Sequence, residues 1–135
     1  MASDYVDYSR IDKVNIGHNV TEKFDFHDLV RTMLVRMLRR NYPNKEKNPI
    51  YTEFDPKKPN EDYPDIWMKQ KSDIYVWELQ SNINECWKKA IIEQYEDVNL
   101  TIVDLNKVHQ RWIDRLANGG EPLSELRSIL KEFVI

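Results

Sequence analysis

The segments Tyr63-Pro64-Asp65-Ile66 and Tyr75-Val76-Trp77-Glu78-Leu79-Gln80 decide how this chain is read. Both are short, apolar and rich in aromatic and β-branched residues, so each reads as part of a strand, the first over 63–68 and the second over 73–80. Lys69-Gln70-Lys71-Ser72 between them reads as a hairpin connection. Each strand carries one carboxylate, Asp65 and Glu78. Side chains alternate along a strand, so Ile74, Val76, Glu78 and Gln80 share a face, as do Tyr63, Asp65 and Trp67. If Met68 pairs with Asp73, Tyr63 lies opposite Glu78 and the two carboxylates sit diagonally on one side, about 7–8 Å apart between backbones. A hard divalent cation takes oxygen ligands of this kind. A one-residue slip parts them, and the plain alternative is a turn-capping Asp65 beside a solvated Glu78.

Outward from this hairpin the pattern is helix, three strands, helix, strand, two helices. Phe26, Leu29, Val30, Met33, Leu34, Met37 and Leu38 recur at helical spacing. Pro43 in Asn41-Tyr42-Pro43-Asn44 stops that helix. Ile50 to Phe54 reads as a first strand with an acid, Glu53, and 55–62 as a turn-rich loop. Ile83, Cys86, Trp87, Ala90, Ile91 and Tyr95 form the apolar face of a second helix capped by Ser81 or Asn82, with Cys86 read as a small core residue. Leu100 to Asp104 is a fourth strand. A helix over about 106–116 ends at Asn118-Gly119-Gly120, and a last one opens with Pro122. The three-strand run implies a meander and the intervening helix a parallel crossover. The fold class is therefore α/β of an α+β-like kind, a small mixed four-stranded sheet flanked by helices. One domain covers 1–135, with an N-terminal arm (1–24), a core (25–105) and a C-terminal helical hairpin (106–135).

Composition narrows the chemistry. The 135 residues carry a formal charge of −3, which excludes a uniformly basic nucleic-acid binder. The charge is uneven, however: Arg31 to Lys47 holds six basic residues against one acid, and Asn48 to Asp104 six against twelve. A net-acidic protein can still present one basic patch to a phosphate backbone; a solvated helix face is the bland alternative. The single Cys86 rules out an internal disulfide and a multi-cysteine zinc site, and fits a reducing, intracellular (cytoplasmic) setting. No apolar run approaches a membrane span, and the polar, acidic start of the chain is no signal peptide.

In this order of elements the chain resembles the PD-(D/E)XK nuclease superfamily over about residues 26 to 105. The resemblance rests on the leading helix, the Glu53 strand, Pro64-Asp65, Glu78-Leu79-Gln80, the following helix and the fourth strand. It implies a restriction-endonuclease-like core and a magnesium or manganese cofactor. Asp65 and Glu78 would be metal ligands, with the Leu79 backbone carbonyl as a third. Glu53 would be a further ligand or would orient a metal-bound water. Gln80 stands at the position of the family's lysine, a substitution that some restriction enzymes of the superfamily carry while remaining active. His27, at the start of the first helix, matches the place of a metal-binding histidine in the viral cap-snatching branch; a helix-start surface histidine is the plain alternative. Gln94-Tyr95 resembles a Gln/Tyr feature of exonuclease-like members, although Tyr95 also fits the core.

The resemblance implies hydrolysis of phosphodiester bonds, foremost by a DNA endonuclease of the resolvase-like or virus- and mobile-element type, with RNA also open as substrate. Arg36, Arg39, Arg40, Lys69 and Lys71 are the candidate phosphate contacts. Small enzymes of this kind act as homodimers, and Trp112, Ile113, Leu126, Ile129 and Val134 are candidates for the dimer face, or else finish the monomer core. The alternative is a catalytically inactive relative that binds nucleic acid or protein.

Overall fold

A computed structural model of the chain describes residues 23–52 and 64–135. The apolar stripe of the first helix dictates where the core begins. Helix α1 spans Lys23–Asn41, and Leu29, Val30, Met33, Leu34, Val35 and Leu38 on it are buried. Burying each such side chain is worth roughly 1.5–3 kcal/mol. The helical hydrogen bonding runs out with Tyr42, whose N–H donates to Leu38 O, immediately before Pro43.

Four strands follow: β1 (Ile50–Thr52), β2 (Ile66–Gln70), β3 (Asp73–Gln80) and β4 (Asn99–Asp104). They form one sheet in the order β1-β2-β3-β4. The first three make an antiparallel meander, and β4 lies parallel to β3. The crossover carries helix α2 (Glu85–Gln94). This is the mixed sheet flanked by helices that the order of elements implies.

The hairpin register differs from the one inferred from sequence. The connection is a two-residue turn, Lys71-Ser72, so Gln70 pairs with Asp73 and Met68 pairs with Tyr75 rather than with Asp73. Lys71 adopts a left-handed conformation, φ 57°, as the tight turns of two-residue hairpins require. The shift is two residues, so each side chain keeps its face.

The two faces are covered unequally. Ile50, Ile66, Met68, Trp77, Leu79 and Val103 pack into the main core with α1, α3 (Leu105–Ala117) and α4 (Pro122–Leu130). The opposite face holds a smaller cluster, in which Trp67, Val76 and Tyr95 are buried and Tyr51, Ile74, Ile91, Val98 and Leu100 are partly buried. Helix α2, which supplies Ile91 to that cluster, has no buried residue of its own. Cys86 on it is exposed, contrary to its reading as a core residue. The reason is that α2 touches the sheet only through a narrow strip, and Cys86 is off that strip. Its N-cap is Asn84, which accepts from the Trp87 N–H at 2.8 Å, and neither Ser81 nor Asn82. Asn82 instead bends the chain at φ 54° and accepts from Asn106 Nδ2 at 2.8 Å.

The C-terminal elements close the main core. Trp112 stacks on Phe26 at 5.7 Å, and its Nε1 donates to Pro122 O at 2.8 Å. Trp77, wholly buried, donates from Nε1 to Phe133 O at 2.8 Å, within the 3-10 turn Lys131–Phe133. Trp112, Leu126 and Ile129 are therefore buried within the monomer and are not available for a dimer face; Ile113 and Val134 remain half-buried. No helix among the described residues is long and apolar enough to cross a membrane.

Candidate functional site

Pro64 ends the ladder between β2 and β3, and the site follows from that. The register Ile66↔Trp77, continued outward, sets Asp65 level with Glu78 and Pro64 level with Leu79. In an antiparallel pair, hydrogen-bonded and non-bonded positions alternate. Counting from the turn-closing pair Gln70↔Asp73, the Pro64–Leu79 level is a bonded one. Proline has no N–H to give. The Leu79 N–H turns instead to the side chain of Asp65, donating to Oδ2 at 2.8 Å. Asp65, at a bend just before β2, thus replaces a rung of the ladder with its own carboxylate. At a bonded level the N–H and C=O of one residue aim at the same neighbour, so the Leu79 carbonyl faces the same gap.

The other oxygen of Asp65 is held from the opposite direction. Oδ1 lies 3.1 Å from Nε2 of His27, in the second turn of α1. The two side chains are 26% and 18% exposed, enough for a small ion or a phosphate oxygen to reach them. Beside them on α1, Arg31 donates to Asp28 Oδ1 at 2.8 Å, so this charge is already engaged within the helix.

Glu78 is half-buried on the Val76 face of β3, one residue before Leu79. Gln80 is on the same face and level with Asp104 of β4. Asp104 caps α3 by accepting from the backbone N–H groups of Asn106 and Lys107. Glu53 and His18 lie outside the described residues. Among the described residues, no group of three or more His, Cys, Asp or Glu side chains is arranged to hold a metal ion.

The fold therefore brings together His27, Asp65 and the Leu79 backbone; Glu78 is level with Asp65 but on the Val76 face, opposite the face on which α1 packs. It does not bring the candidate phosphate contacts to that point. Arg36, Arg39 and Arg40 stand nine to thirteen residues along α1 from His27, roughly 14–20 Å at 1.5 Å per residue. Lys69 and Lys71 are at the other end of β2, with Lys69 roughly 13 Å from Asp65 at strand spacing. His109 packs edge-on against Phe26 at 4.9 Å. Its Nε2 is buried without a hydrogen-bond partner among the described residues. Nothing local in the sequence marks His27 as the partner of Asp65, because 38 residues separate them and only the seating of α1 on the sheet joins them.

Comparison of the chain with protein-family models, with curated proteins and with solved structures finds no match.

Proposed function

We propose that the protein is a metal-dependent nuclease that hydrolyses phosphodiester bonds, foremost a DNA endonuclease of the resolvase-like or virus- and mobile-element type within the PD-(D/E)XK superfamily. The observation that carries this reading is the meeting of the Asp65 carboxylate with His27 and the Leu79 backbone where Pro64 breaks the ladder.

A bound Mg2+ or Mn2+ would supply Lewis acidity and a water of lowered pKa. Asp65 and His27 offer an oxygen and a nitrogen donor at one point, the Leu79 carbonyl a third group, and Glu78 a second carboxylate at the same sheet level. These donors fit Mn2+ with its tolerance for imidazole, and Mg2+ through the oxygens. Glu53 is the remaining carboxylate proposed for the set. The Leu79 N–H fixes one oxygen of Asp65 and so orients the carboxylate. Gln80 has no proton to accept or release near neutrality; its amide is suited to hold a water or a phosphate oxygen by hydrogen bonds. Cutting both strands of a duplex calls for two sites, so the proposal includes a homodimer.

A second reading, a catalytically inactive relative that binds nucleic acid or protein, draws support from Gln80 and from the lack of a three-ligand cluster among the described residues.

The deciding experiment incubates plasmid, branched DNA and structured RNA with the protein in Mg2+, Mn2+ or EDTA, alongside His27→Ala, Asp65→Asn and Glu78→Ala. Cleavage that needs metal and is lost in Asp65→Asn and Glu78→Ala supports the nuclease. Cleavage that survives both substitutions removes this site from the chemistry. Absence of cleavage on every substrate, joined to no Mn2+ binding by calorimetry, selects the second reading.

A further inference from the structure

Among the described residues, the cations from Arg36 to Lys71 come from three segments, and the fold gathers these at one end. Asn44 closes a compact turn: its Oδ1 accepts from the N–H groups of Glu46 and Lys47 at 3.0 Å, and its carbonyl accepts from the Asn48 N–H at 2.9 Å. Helical bonding still reaches Tyr42, so only Pro43 separates α1 from this turn. The turn is in its place against the hairpin, because Asn48 Nδ2 donates to Lys69 O at 3.4 Å and the Lys69 N–H donates to Pro49 O at 3.1 Å. Arg39 ties down the helix end by donating to Tyr42 O at 2.9 Å. The end of α1 (Arg36, Arg39, Arg40), the turn (Lys45, Lys47) and the hairpin (Lys69, Lys71) therefore cluster at one end of the fold, with Lys69 on the Trp67 face of the sheet and the arginines on the helix that covers the other. All seven except the half-buried Arg39 are exposed.

The surface is sided. Among the described residues, Glu46 and Asp73 are the acidic side chains within it. The next acids at this end of the sheet, Glu96 and Asp97, precede β4, the strand at the opposite edge from β1. Positive charge thus occupies the α1–β1–β2 side, and negative charge the β4 side. A helix axis and a strand independently place this surface about 13–20 Å from His27 and Asp65. Successive phosphates of one duplex strand advance about 3.4 Å along the helix axis, so the gap, measured along that axis, corresponds to about four to six base pairs.

We infer that this basic end is an anchoring surface for the phosphodiester backbone of a double-stranded nucleic acid, separate from the Asp65 site and offset from it by about half a helical turn. A compact polyanion with regular charge spacing fits seven cations drawn from three rigidly joined segments better than a single phosphate or carboxylate does. The anchor stands on geometry and charge; only its role in placing the cut rests on the nuclease reading. Such an anchor would give a protein of charge −3 a local surface suited to a polyanion.

The test is fluorescence anisotropy of 20-base-pair DNA and RNA duplexes with the whole chain across a salt series. The set comprises wild type, the triple variant Lys47→Glu/Lys69→Glu/Lys71→Glu, and Glu96→Lys/Asp97→Lys as a control for net charge at the opposite edge of the sheet. Circular dichroism verifies that each variant folds, and Arg40→Gln supplies a milder change. The anchor predicts that the triple variant loses at least tenfold in affinity and shows a shallower salt dependence, that Arg40→Gln loses a few-fold, and that Glu96→Lys/Asp97→Lys, on the β4 side, loses none. Loss in DNA alone or RNA alone assigns the duplex type. Unchanged binding in the triple variant overturns the anchor, whether or not metal-dependent cleavage persists. So does failure of wild type to bind either duplex, and capture of an acidic polypeptide such as poly-glutamate in its place assigns the surface to a protein partner. Duplex binding by wild type with the predicted losses, but no cleavage, leaves the anchor standing and removes the nuclease.

Discussion

Asp65 is shared between two elements: its Oδ1 lies 3.1 Å from His27 Nε2 on α1, while its Oδ2 accepts the Leu79 N–H of β3 at 2.8 Å. One carboxylate thus ties a helix to the sheet and fills the rung that Pro64 cannot supply. A structural and a chemical role meet in one side chain, so the two must be separated by the choice of substitution.

Asp65→Ala is expected to lower stability by about 1–3 kcal/mol, because the Leu79 N–H loses its acceptor in a half-buried place. His27→Ala is expected to cost less than about 1 kcal/mol, since the pair it breaks is partly exposed. Urea unfolding of both variants measures this. Under the proposed function, both lose metal-dependent cleavage, so loss of cutting in His27→Ala with stability intact is the cleaner evidence. Equal stability of the two variants would show that the Asp65–Leu79 bond has no weight in the fold.

Trp77→Phe is expected to destabilise by about 2–4 kcal/mol. The substitution leaves a void in the main core and strips the Phe133 carbonyl of its indole donor. Thermal or chemical unfolding reads the loss. A change under about 0.5 kcal/mol would mean that the C-terminal turn is not held by this bond.

Lys71→Gly is expected to stabilise the hairpin by about 1 kcal/mol, since a left-handed φ of 57° is costly for lysine and free for glycine. The melting temperature checks it. An unchanged or lowered value would argue that Lys71 makes a compensating contact.

The pH prediction concerns the cap of α4. Glu121 accepts from the Ser124 N–H at 2.8 Å and the Leu123 N–H at 3.3 Å. Hydrogen bonding to Ser124, through its side chain and then its backbone N–H, holds the Glu121 carboxyl below the usual 4.5. A folded-state pKa below the unfolded one contributes stability that is present above the unfolded value and disappears as pH falls through the folded one. Acidification below pH 4.5 should therefore weaken the start of α4. Glu121→Gln should remove that part of the acid dependence while costing some stability at neutral pH. Melting curves of both proteins from pH 7 to pH 3 decide it; parallel curves would exclude a contribution from this cap.

Much of the architecture was legible because it lies in local pattern. The run Asp73 to Gln80 is rich in β-branched and aromatic residues, and β3 covers those same residues. Pro122 marks the first turn of α4, and the stripe from Phe26 to Leu38 marks α1. What went astray depended on tertiary position. The hairpin register turned on a lysine accepting a left-handed conformation, which no propensity announces. Cys86 reads as a core residue, although it is exposed, because helical spacing gives the apolar face but not how deeply that face sinks. The site was legible as two strand-borne carboxylates. The contact of His27 with Asp65 and the gathering of cations at the far end of the sheet required the helix to be seated first.

The uneven covering of the sheet sets an order of opening. Helix α2 rests on one face through half-buried side chains and contributes no fully buried residue, so few contacts oppose its detachment. Local opening draws on such sparsely packed elements first. Its amide protons should exchange with deuterium well ahead of those of α1 and β3, and each opening briefly bares Trp67 and Val76. The sheet therefore yields first on the α2 side, while the side that holds Trp77 and Trp112 stays shut.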